Sequence, residues 1–186
     1  MDYKLIKSKR KTLSMQMTEG GLVVRAPFST PERSIEKFVE EHGRWINKRL
    51  AELERRRAEA EKYPPLTDED VKELAGKALS YIPQRVKYYA DMAGVKYGRI
   101  TIRNQRTRWG SCSSKGNLNF NCMLMLTPPK VIDSVVVHEV CHLKHMDHSK
   151  AFYAEVRRIF PEYDKWNAWL KENGKVILLR AELRET

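Results

Sequence analysis

One short segment limits what this chain can fold into: an apolar run that carries two histidines and a glutamate. It reads Val-Val-Val-His-Glu-Val-Cys-His and covers residues 135–142. Residues four apart on a helix lie on one face, so a helix here would place His138 and His142 side by side. Burying the charged side chain of Glu139 in this apolar segment costs free energy, which indicates a functional role for it. The segment therefore predicts a buried helix with one chemically active face.

These three side chains are also the elements of a zinc site. Zinc binds imidazole nitrogen at about 2.0–2.1 Å, and two rings one helical turn apart can hold the same ion. Glu139 directly follows the first histidine, so its carboxylate could take a proton from zinc-bound water, whose pKa the metal lowers to about 7. The alternative, two core histidines and a surface glutamate, fits the apolar setting poorly. The motif predicts a zinc-dependent hydrolase with one Zn²⁺ per chain, held by His138 and His142, and with Glu139 as general base.

A third ligand is expected, because a catalytic zinc usually has three protein ligands and one open position. His148 lies six residues after the second histidine, and six residues of continuing helix turn through about 600°, which would point its ring away. His148 can therefore ligate only if the helix ends by about His145 and the chain turns back. Asp147 and Ser149 offer capping side chains for a new helix, which favours such a break. His145 is the competing ligand, and Glu155 is a weaker candidate.

Length and composition predict a single folded domain. The chain has 186 residues, 41% of them hydrophobic, enough for one core but short for two. We expect one domain over 1–186, with strands and a helix over 1–62 and the catalytic part over 67–186.

The net charge of the chain is +11, which favours binding to polyanions such as nucleic acid or nucleotides, or is that of an ordinary basic surface. Three cysteines without regular spacing, and no apolar run of ~18 residues, predict a cytoplasmic protein with no membrane span.

Alternating hydrophobicity, turn signals and helix caps predict the order of the elements. The strands predicted in this way cover residues 3–6, 12–17, 22–26, 99–103, 106–111 and 118–126. A first helix opens after Thr30, whose side chain can cap it, and continues through the charged stretch that follows. Thr67 and Asp70 can cap a second helix over 68–92, which Pro83 should kink or split.

Several longer motifs surround the histidines. They are Arg-Trp-Gly-Ser-Cys-Ser at 108–113, Gly-Asn-Leu-Asn-Phe-Asn at 116–121, the run from His138 to Tyr153, and two N-terminal segments at 8–14 and 23–27. In the order of these motifs and in their residues, the chain resembles the YgjP-like family of metallopeptidases. This family is similar to the wider SprT-like and zincin group. The resemblance covers most of the chain.

This resemblance implies a zincin-like α+β fold. Small antiparallel strands and long helices would precede a small sheet that lies over the active-site helix. It also implies zinc at His138, His142 and His148, with Glu139 catalytic.

The segment before the predicted hairpin carries two arginines. A strand over 106–111 would pair with the strand over 118–126, and an edge strand near the metal of a zincin-like fold can bind an extended peptide. Arg106 or Arg108 could then hold a carboxylate or a phosphate with two hydrogen bonds. In the alternative, Trp109 belongs to the core and both arginines are solvated.

Three functions follow from these features. The first is a metallopeptidase that acts on a peptide or protein, with Glu139 activating water. The second is a nucleoside triphosphate phosphohydrolase, which would use Mg²⁺ or Mn²⁺ and which the positive charge and the two arginines motivate. The third is a nucleic-acid-associated protease or binding protein, for which the sequence offers no binding motif.

Overall fold

The computed structural model describes residues 2–182, which form two compact units divided between Glu59 and Ala60. The prediction of one domain over 1–186 stays a prediction. Helices and small sheets coexist, which confirms the α+β class. None of the helices within these residues is both long enough and apolar enough to span a lipid bilayer.

The first unit is a small sheet with two helices. Its elements are β1 (Lys4–Ser8), β2 (Ser14–Thr18), β3 (Gly21–Pro27), α1 (Glu32–Glu41) and α2 (Gly43–Ala60). The central strand β3 pairs with β2 in antiparallel and with β1 in parallel orientation, so the expectation of antiparallel strands was wrong for β1. Fully buried side chains of β3 and the helices, among them Val24, Ile35 and Ile46, form its core.

The helical part of this unit differs from the prediction at two points. Pro31, and not Thr30, is the N-cap of α1, and no side chain caps it. The predicted single helix is broken at His42, whose ring Nδ1 lies 2.8 Å from the carbonyl oxygen of Phe38 and donates to it. This side-chain contact accompanies non-helical backbone at His42, and α2 begins at the next residue.

The second unit contains the histidine segment. Its elements are α3 (Asp68–Ala93), β4 (Ile100–Arg103), β5 (Gly110–Cys112), β6 (Leu118–Asn121), a 3-10 helix (Cys122–Leu126), α4 (Pro129–Cys141), α5 (Lys150–Ile159) and α6 (Tyr163–Glu182). The predicted capping box of α3 is confirmed, because the Thr67 hydroxyl accepts from the Asp70 N–H and the Asp70 carboxylate accepts from the Thr67 N–H. Pro83 does not split α3, which continues to Gly94, a left-handed C-cap.

The second sheet has the strand order β4-β6-β5, which leaves β5 at an edge. β5 and β6 form the predicted antiparallel hairpin, and β4 runs parallel to β6. Both hairpin strands are shorter than predicted: β5 begins only at Gly110, so Arg106 and Arg108 lie in the preceding loop, and β6 ends at Asn121.

The reason for both differences is the fully buried side chain of Asn121. Its Oδ1 accepts from the Met123 N–H, which caps the 3-10 helix, and its Nδ2 donates to the carbonyls of Gln105 and Arg108. A single amide therefore ends β6 and also holds the loop before β5 in a non-strand conformation.

Helix α4 lies in the middle of the second core. Every residue from Val131 to Val137 is buried, as the apolar sequence predicts. One buried charge braces it against α3: Arg85 Nε donates to Asp133 Oδ1 at 2.7 Å and a second guanidinium N–H donates to the Tyr89 hydroxyl. The Asp133 side chain is 7% exposed and that of Arg85 is 28% exposed.

Replacing Asp133 with alanine should destabilise the second unit. The substitution leaves the half-buried Arg85 guanidinium without its carboxylate, which should cost about 2–3 kcal/mol, below the value for a fully buried pair. Urea unfolding followed by circular dichroism measures this. Lys77→Ala is the matched control, because the ion pair of Lys77 with Glu73 is exposed, and its midpoint should not move. An unchanged midpoint in Asp133→Ala would show that the pair does not brace α4.

Candidate metal centre and active-site cavity

Three imidazole rings converge at the C-terminal end of α4. Nε2 of His138 lies 3.2 Å from Nε2 of His142 and 3.2 Å from Nε2 of His148. The three nitrogen atoms lie within 4.8 Å of one another, and among the described residues these three side chains form the group that could hold a metal ion. Helical spacing brings the first two rings together, since they are four residues apart.

An early helix end brings the third ring back. Helix α4 stops at Cys141, and His142 is its C-cap. The chain then turns, and α5 starts at Lys150 with Ser149 as N-cap, whose hydroxyl accepts from the Phe152 N–H. The predicted break and the predicted Ser149 cap are thus both present.

The two competing ligands have other contacts. The backbone carbonyl of His145 accepts a hydrogen bond from Nδ1 of His142, and its ring is outside the cluster. Glu155 accepts hydrogen bonds from Arg158 and Lys144, which together lower its pKa to about 2. The Lys144–Glu155 pair also ties the turn after α4 to helix α5.

A buried phenyl ring packs against all three imidazole rings of the cluster. Phe152 is 0% exposed, and its ring centroid lies 4.5 Å from that of His142, 4.9 Å from that of His138 and 5.1 Å from that of His148. Such contacts restrict ring rotation. The positions of the three imidazoles are therefore set by packing as well as by the backbone.

The hydrogen bonds of the remote ring nitrogens suit metal binding. Nδ1 of His142 faces the carbonyl of His145 at 2.9 Å, and because a carbonyl only accepts, this nitrogen carries the proton and Nε2 carries a lone pair. Nδ1 of His138 lies 2.8 Å from the hydroxyl of Tyr163. Ligating histidines generally use their second nitrogen in this way. Neutral imidazoles whose lone pairs meet at one point repel each other unless a cation lies between them.

The separations also fit zinc. A tetrahedral ion at about 2.05 Å from each nitrogen requires the nitrogens to lie about 3.3 Å apart. Two of the three separations are 3.2 Å. The donor set is purely imidazole, which zinc binds well.

Burial keeps the rings of His138 and His142 neutral. Desolvation, together with the smaller effects of the neighbouring His142 and His148 rings, lowers the pKa of His138 to about 4. Desolvation likewise lowers the pKa of His142, against the opposing effect of its hydrogen bond to His145. At neutral pH these two rings are in the form that binds a metal.

Glu139 is buried beside this cluster, with 6% of its surface exposed. Desolvation raises the pKa of its carboxyl to about 8, so without a nearby cation the carboxyl is mostly protonated at neutral pH. A nearby cation would favour the carboxylate form. Gly110 of β5 packs directly on it: a Cβ at this position would lie 2.7 Å from Glu139 Cγ and 2.7 Å from Oε1.

A cavity of about 220 Å³ opens beside His138 and Glu139. Its other lining residues come from the loop before β5, the first residue of β5, the first half of α4, and α6: Arg108, Trp109, Gly110, Ser134, Val135, Tyr163, Asn167 and Leu170. Of the two arginines that the sequence singles out, Arg108 lines the cavity, and Arg106 is not among the described residues that line it. Trp109 is half-buried and packs against Gly174 of α6, where a Cβ would lie 3.0 Å from its ring.

The amino-acid sequence does not predict the cavity residues that α6 contributes. Tyr163, Asn167 and Leu170 lie 15 or more residues after His148, and their spacing is that of any amphipathic helix. No local signal distinguishes them from packing residues.

Comparison with protein families identifies the class of this protein. The profile of the YgjP-like metallopeptidase domain matches residues 11–77 and 71–173, most of the chain. The protein is a hydrolase of the metallopeptidase class, a class whose substrates are peptides or proteins. It belongs to the YgjP-like family. The nucleoside triphosphate alternative stays a prediction, and no comparison supports a nucleic-acid partner.

Two solved structures are similar to part of the chain. The metallopeptidase zymogen of Methanocaldococcus jannaschii jannalysin is 19% identical, with a TM-score of 0.45 over 50% of this chain and 95% of its own. The metallopeptidase zymogen of Pyrococcus abyssi abylysin is also 19% identical, with a TM-score of 0.46 over 50% of this chain and 96% of its own. A comparison with curated proteins found no match.

Gly110→Ala should displace the Glu139 carboxyl without unfolding the protein. The new methyl group must move from 2.7 Å to about 3.4 Å from Glu139, and the flexible end of the glutamate can yield. A crystal structure should show the carboxyl shifted by roughly 0.7 Å or more, with the three imidazoles in place. Gly76→Ala is the matched control, because a Cβ there meets nothing within 4 Å. An unmoved carboxyl in Gly110→Ala would contradict this contact.

Proposed function

We propose that this protein is a zinc-dependent peptidase in which His138, His142 and His148 hold one zinc ion and Glu139 is the general base. The observation that carries the proposal is the convergence of three Nε2 atoms directly beside a buried glutamate. Membership in a metallopeptidase family supports it. Residence in the cytoplasm remains a sequence-based prediction.

The chemistry divides between the ion and the chain. When bound, zinc would lower the pKa of a water molecule and polarise a peptide carbonyl. Glu139 takes a proton from the attacking water and later gives it to the leaving amine. Desolvation raises the pKa of Glu139 to about 8, and a bound cation would lower it again and favour the carboxylate that accepts the proton. The apolar surroundings of α4 limit the access of other water.

The substrate is proposed to bind as an extended strand along β5. This strand is at the edge of its sheet, and its first residue, Gly110, touches Glu139. An added peptide strand would therefore pass over the general base, with backbone hydrogen bonds providing affinity for many sequences. Arg108 lines the adjacent cavity and is proposed to hold a substrate carboxylate, whereas Arg106, exposed in the same loop, is retained only as a candidate contact.

The metal content of two histidine variants tests the ligand set. Mass spectrometry on protein purified without a metal-affinity tag should find about one zinc per chain in the wild type and in His145→Ala. The same measurement should find much less in His148→Ala, because a two-histidine site binds zinc weakly. His145 is the matched control, since its ring is outside the cluster and the substitution keeps its backbone carbonyl. Loss of zinc in His145→Ala alone would overturn the assignment of His148.

Peptide cleavage tests the reaction itself. Wild-type protein loaded with zinc is incubated with a library of random dodecapeptides, and new termini are mapped by mass spectrometry. Glu139→Gln should lose at least about a hundredfold in cleavage rate while it keeps its zinc, because the proton acceptor is gone. Glu73→Gln on the exposed side of α3 is the matched control. Phosphate release from nucleoside triphosphates without any peptide cleavage would instead favour the phosphohydrolase.

A further inference from the structure

The cavity beside Glu139 is a short groove between two helices. Its lining residues on α4 span little more than one turn, from Ser134 to Glu139, and those on α6 span about two turns, from Tyr163 to Leu170. Its volume of about 220 Å³ is below the ~300–1,000 Å³ of pockets that hold drug-sized molecules. The cavity therefore has room for one amino-acid side chain and not for a longer segment of peptide.

A positive charge in the wall of this cavity is unpaired. The Arg108 guanidinium makes no hydrogen bond or ion pair within the part of the chain that the structure describes, and the same holds for the side-chain amide of Asn167. Among the described lining residues Glu139 supplies the one carboxylate, and it is the proposed general base. A bound zinc ion and Arg108 together outweigh its negative charge, so the loaded site attracts an anionic group.

The backbone that carries this charge is held in place by a buried amide. Asn121 is 0% exposed, and its Nδ2 donates to the carbonyl of Arg108 at 2.9 Å. The backbone N–H of Asn121 donates to the carbonyl of Trp109, also at 2.9 Å. A cation whose point of attachment is already ordered loses less entropy on binding than a cation on a mobile loop. Arg108 is thus prepared to receive a ligand at the cavity.

The proposed reaction determines which residue of the substrate meets the cavity. Glu139 gives a proton to the leaving amine, so the nitrogen of the cleaved bond must come within hydrogen-bond distance of Glu139. This nitrogen belongs to the residue that directly follows the cleaved bond. Because Glu139 lines the cavity, that residue is the one next to it. Arg108 lies two positions before Gly110, which packs on the Glu139 side chain, and is therefore close to the same substrate residue.

We propose that the cavity binds the residue that follows the cleaved bond and selects one that carries a carboxylate, with Arg108 as the specificity-determining residue. The proposal rests on the proposed peptidase function. A guanidinium can bind a carboxylate through two charge-assisted hydrogen bonds, and each is about twice as strong as a neutral one. A basic side chain in the same place would meet the charges of Arg108 and zinc and would be rejected.

Two parts of a peptide can supply the carboxylate. One is the side chain of an aspartate or glutamate within the peptide, and the other is the free C terminus when the residue after the cleaved bond is the last one. Both present the same group to Arg108. The apolar part of the wall, from Val135 and Leu170, suits the methylene groups of a side chain that reaches into the cavity.

The test varies a single position in the best-cleaved peptide of the random library, the residue after the cleaved bond. Peptides with glutamate, glutamine or lysine at this position are compared by kcat/KM at saturating zinc. The wild type should prefer glutamate over glutamine by about 10–100-fold, as expected for the gain of a charge-assisted contact. The lysine peptide should be cleaved most slowly.

Substitutions of Arg108 should change this order and leave the zinc content unchanged. Arg108→Gln should abolish the preference for glutamate over glutamine, and Arg108→Lys should restore part of it. Arg108→Glu should reverse the order, so that the lysine peptide becomes a better substrate than the glutamate peptide. Arg103→Gln is the matched control, because this exposed arginine lies in β4 at the opposite edge of the sheet, and it should keep the wild-type preference.

Peptides that end directly after the varied residue identify the source of the carboxylate. If the C terminus is the bound group, the free acid is cleaved and the C-terminal amide is not, whichever side chain is present. If the side chain is the bound group, amidation has no effect and glutamate is still required. In either case Arg108→Gln should remove the dependence on the carboxylate.

A binding measurement provides a readout without turnover. Zinc-loaded Glu139→Gln is titrated with the glutamate and the glutamine peptide in a calorimeter. The glutamate peptide should bind at least about tenfold more tightly, and the difference should vanish when Arg108→Gln is added to this variant.

The possible outcomes separate the two proposals. Equal kcat/KM for peptides with and without a carboxylate at this position would overturn the selectivity of the cavity while the peptidase function stands. A preference that survives in Arg108→Gln, or that is lost in Arg106→Gln instead, would overturn the role of Arg108. If the wild type and Arg103→Gln cleave no peptide at all, the proposed function fails, and the selectivity of the cavity fails with it.

Discussion

The reversal of the chain after Cys141 is the constraint on which the rest of the site depends. Had α4 continued for two more turns, His148 would point away from His138. Instead three local contacts fix a tight turn: the hydrogen bond from His142 Nδ1 to the carbonyl of His145, the Ser149 cap of α5, and the Lys144–Glu155 ion pair. In the first of these Nδ1–H of His142 is the donor, so the contact that shapes the turn also selects the tautomer of the proposed ligand.

Burial prepares these side chains for metal chemistry at a cost in stability. The core around α4 disfavours charge, and so His138 stays neutral and the pKa of Glu139 rises. Polar groups held in this way are unfavourable without partners. A cation between the imidazoles would satisfy their lone pairs and favour the carboxylate. Metal binding is thus expected to stabilise the second unit as well as to enable the reaction.

The sheet side of the cavity depends on two small structural details. The buried amide of Asn121 ends β6 and holds the loop that carries Arg108, and Gly110 leaves the space that the Glu139 carboxyl occupies. Larger side chains at either position would move the edge strand or the carboxyl. The proposed substrate strand along β5 and the proposed general base would therefore meet at Gly110, where the strand touches the Glu139 side chain.

The sequence by itself determined the features that lie within one or two turns of backbone. The pairing of His138 with His142, the caps at Thr67 and Ser149 and the β5–β6 hairpin follow from fixed helical spacing and from local hydrogen bonding. Only the tertiary structure decided which residues face the histidines from elsewhere: Gly110 from β5, Phe152 from α5 and Tyr163 from α6. Their spacing matches that of ordinary packing residues, and their role arises when the helices and the sheet close around α4, a result of summed burial over the whole core that no local pattern encodes.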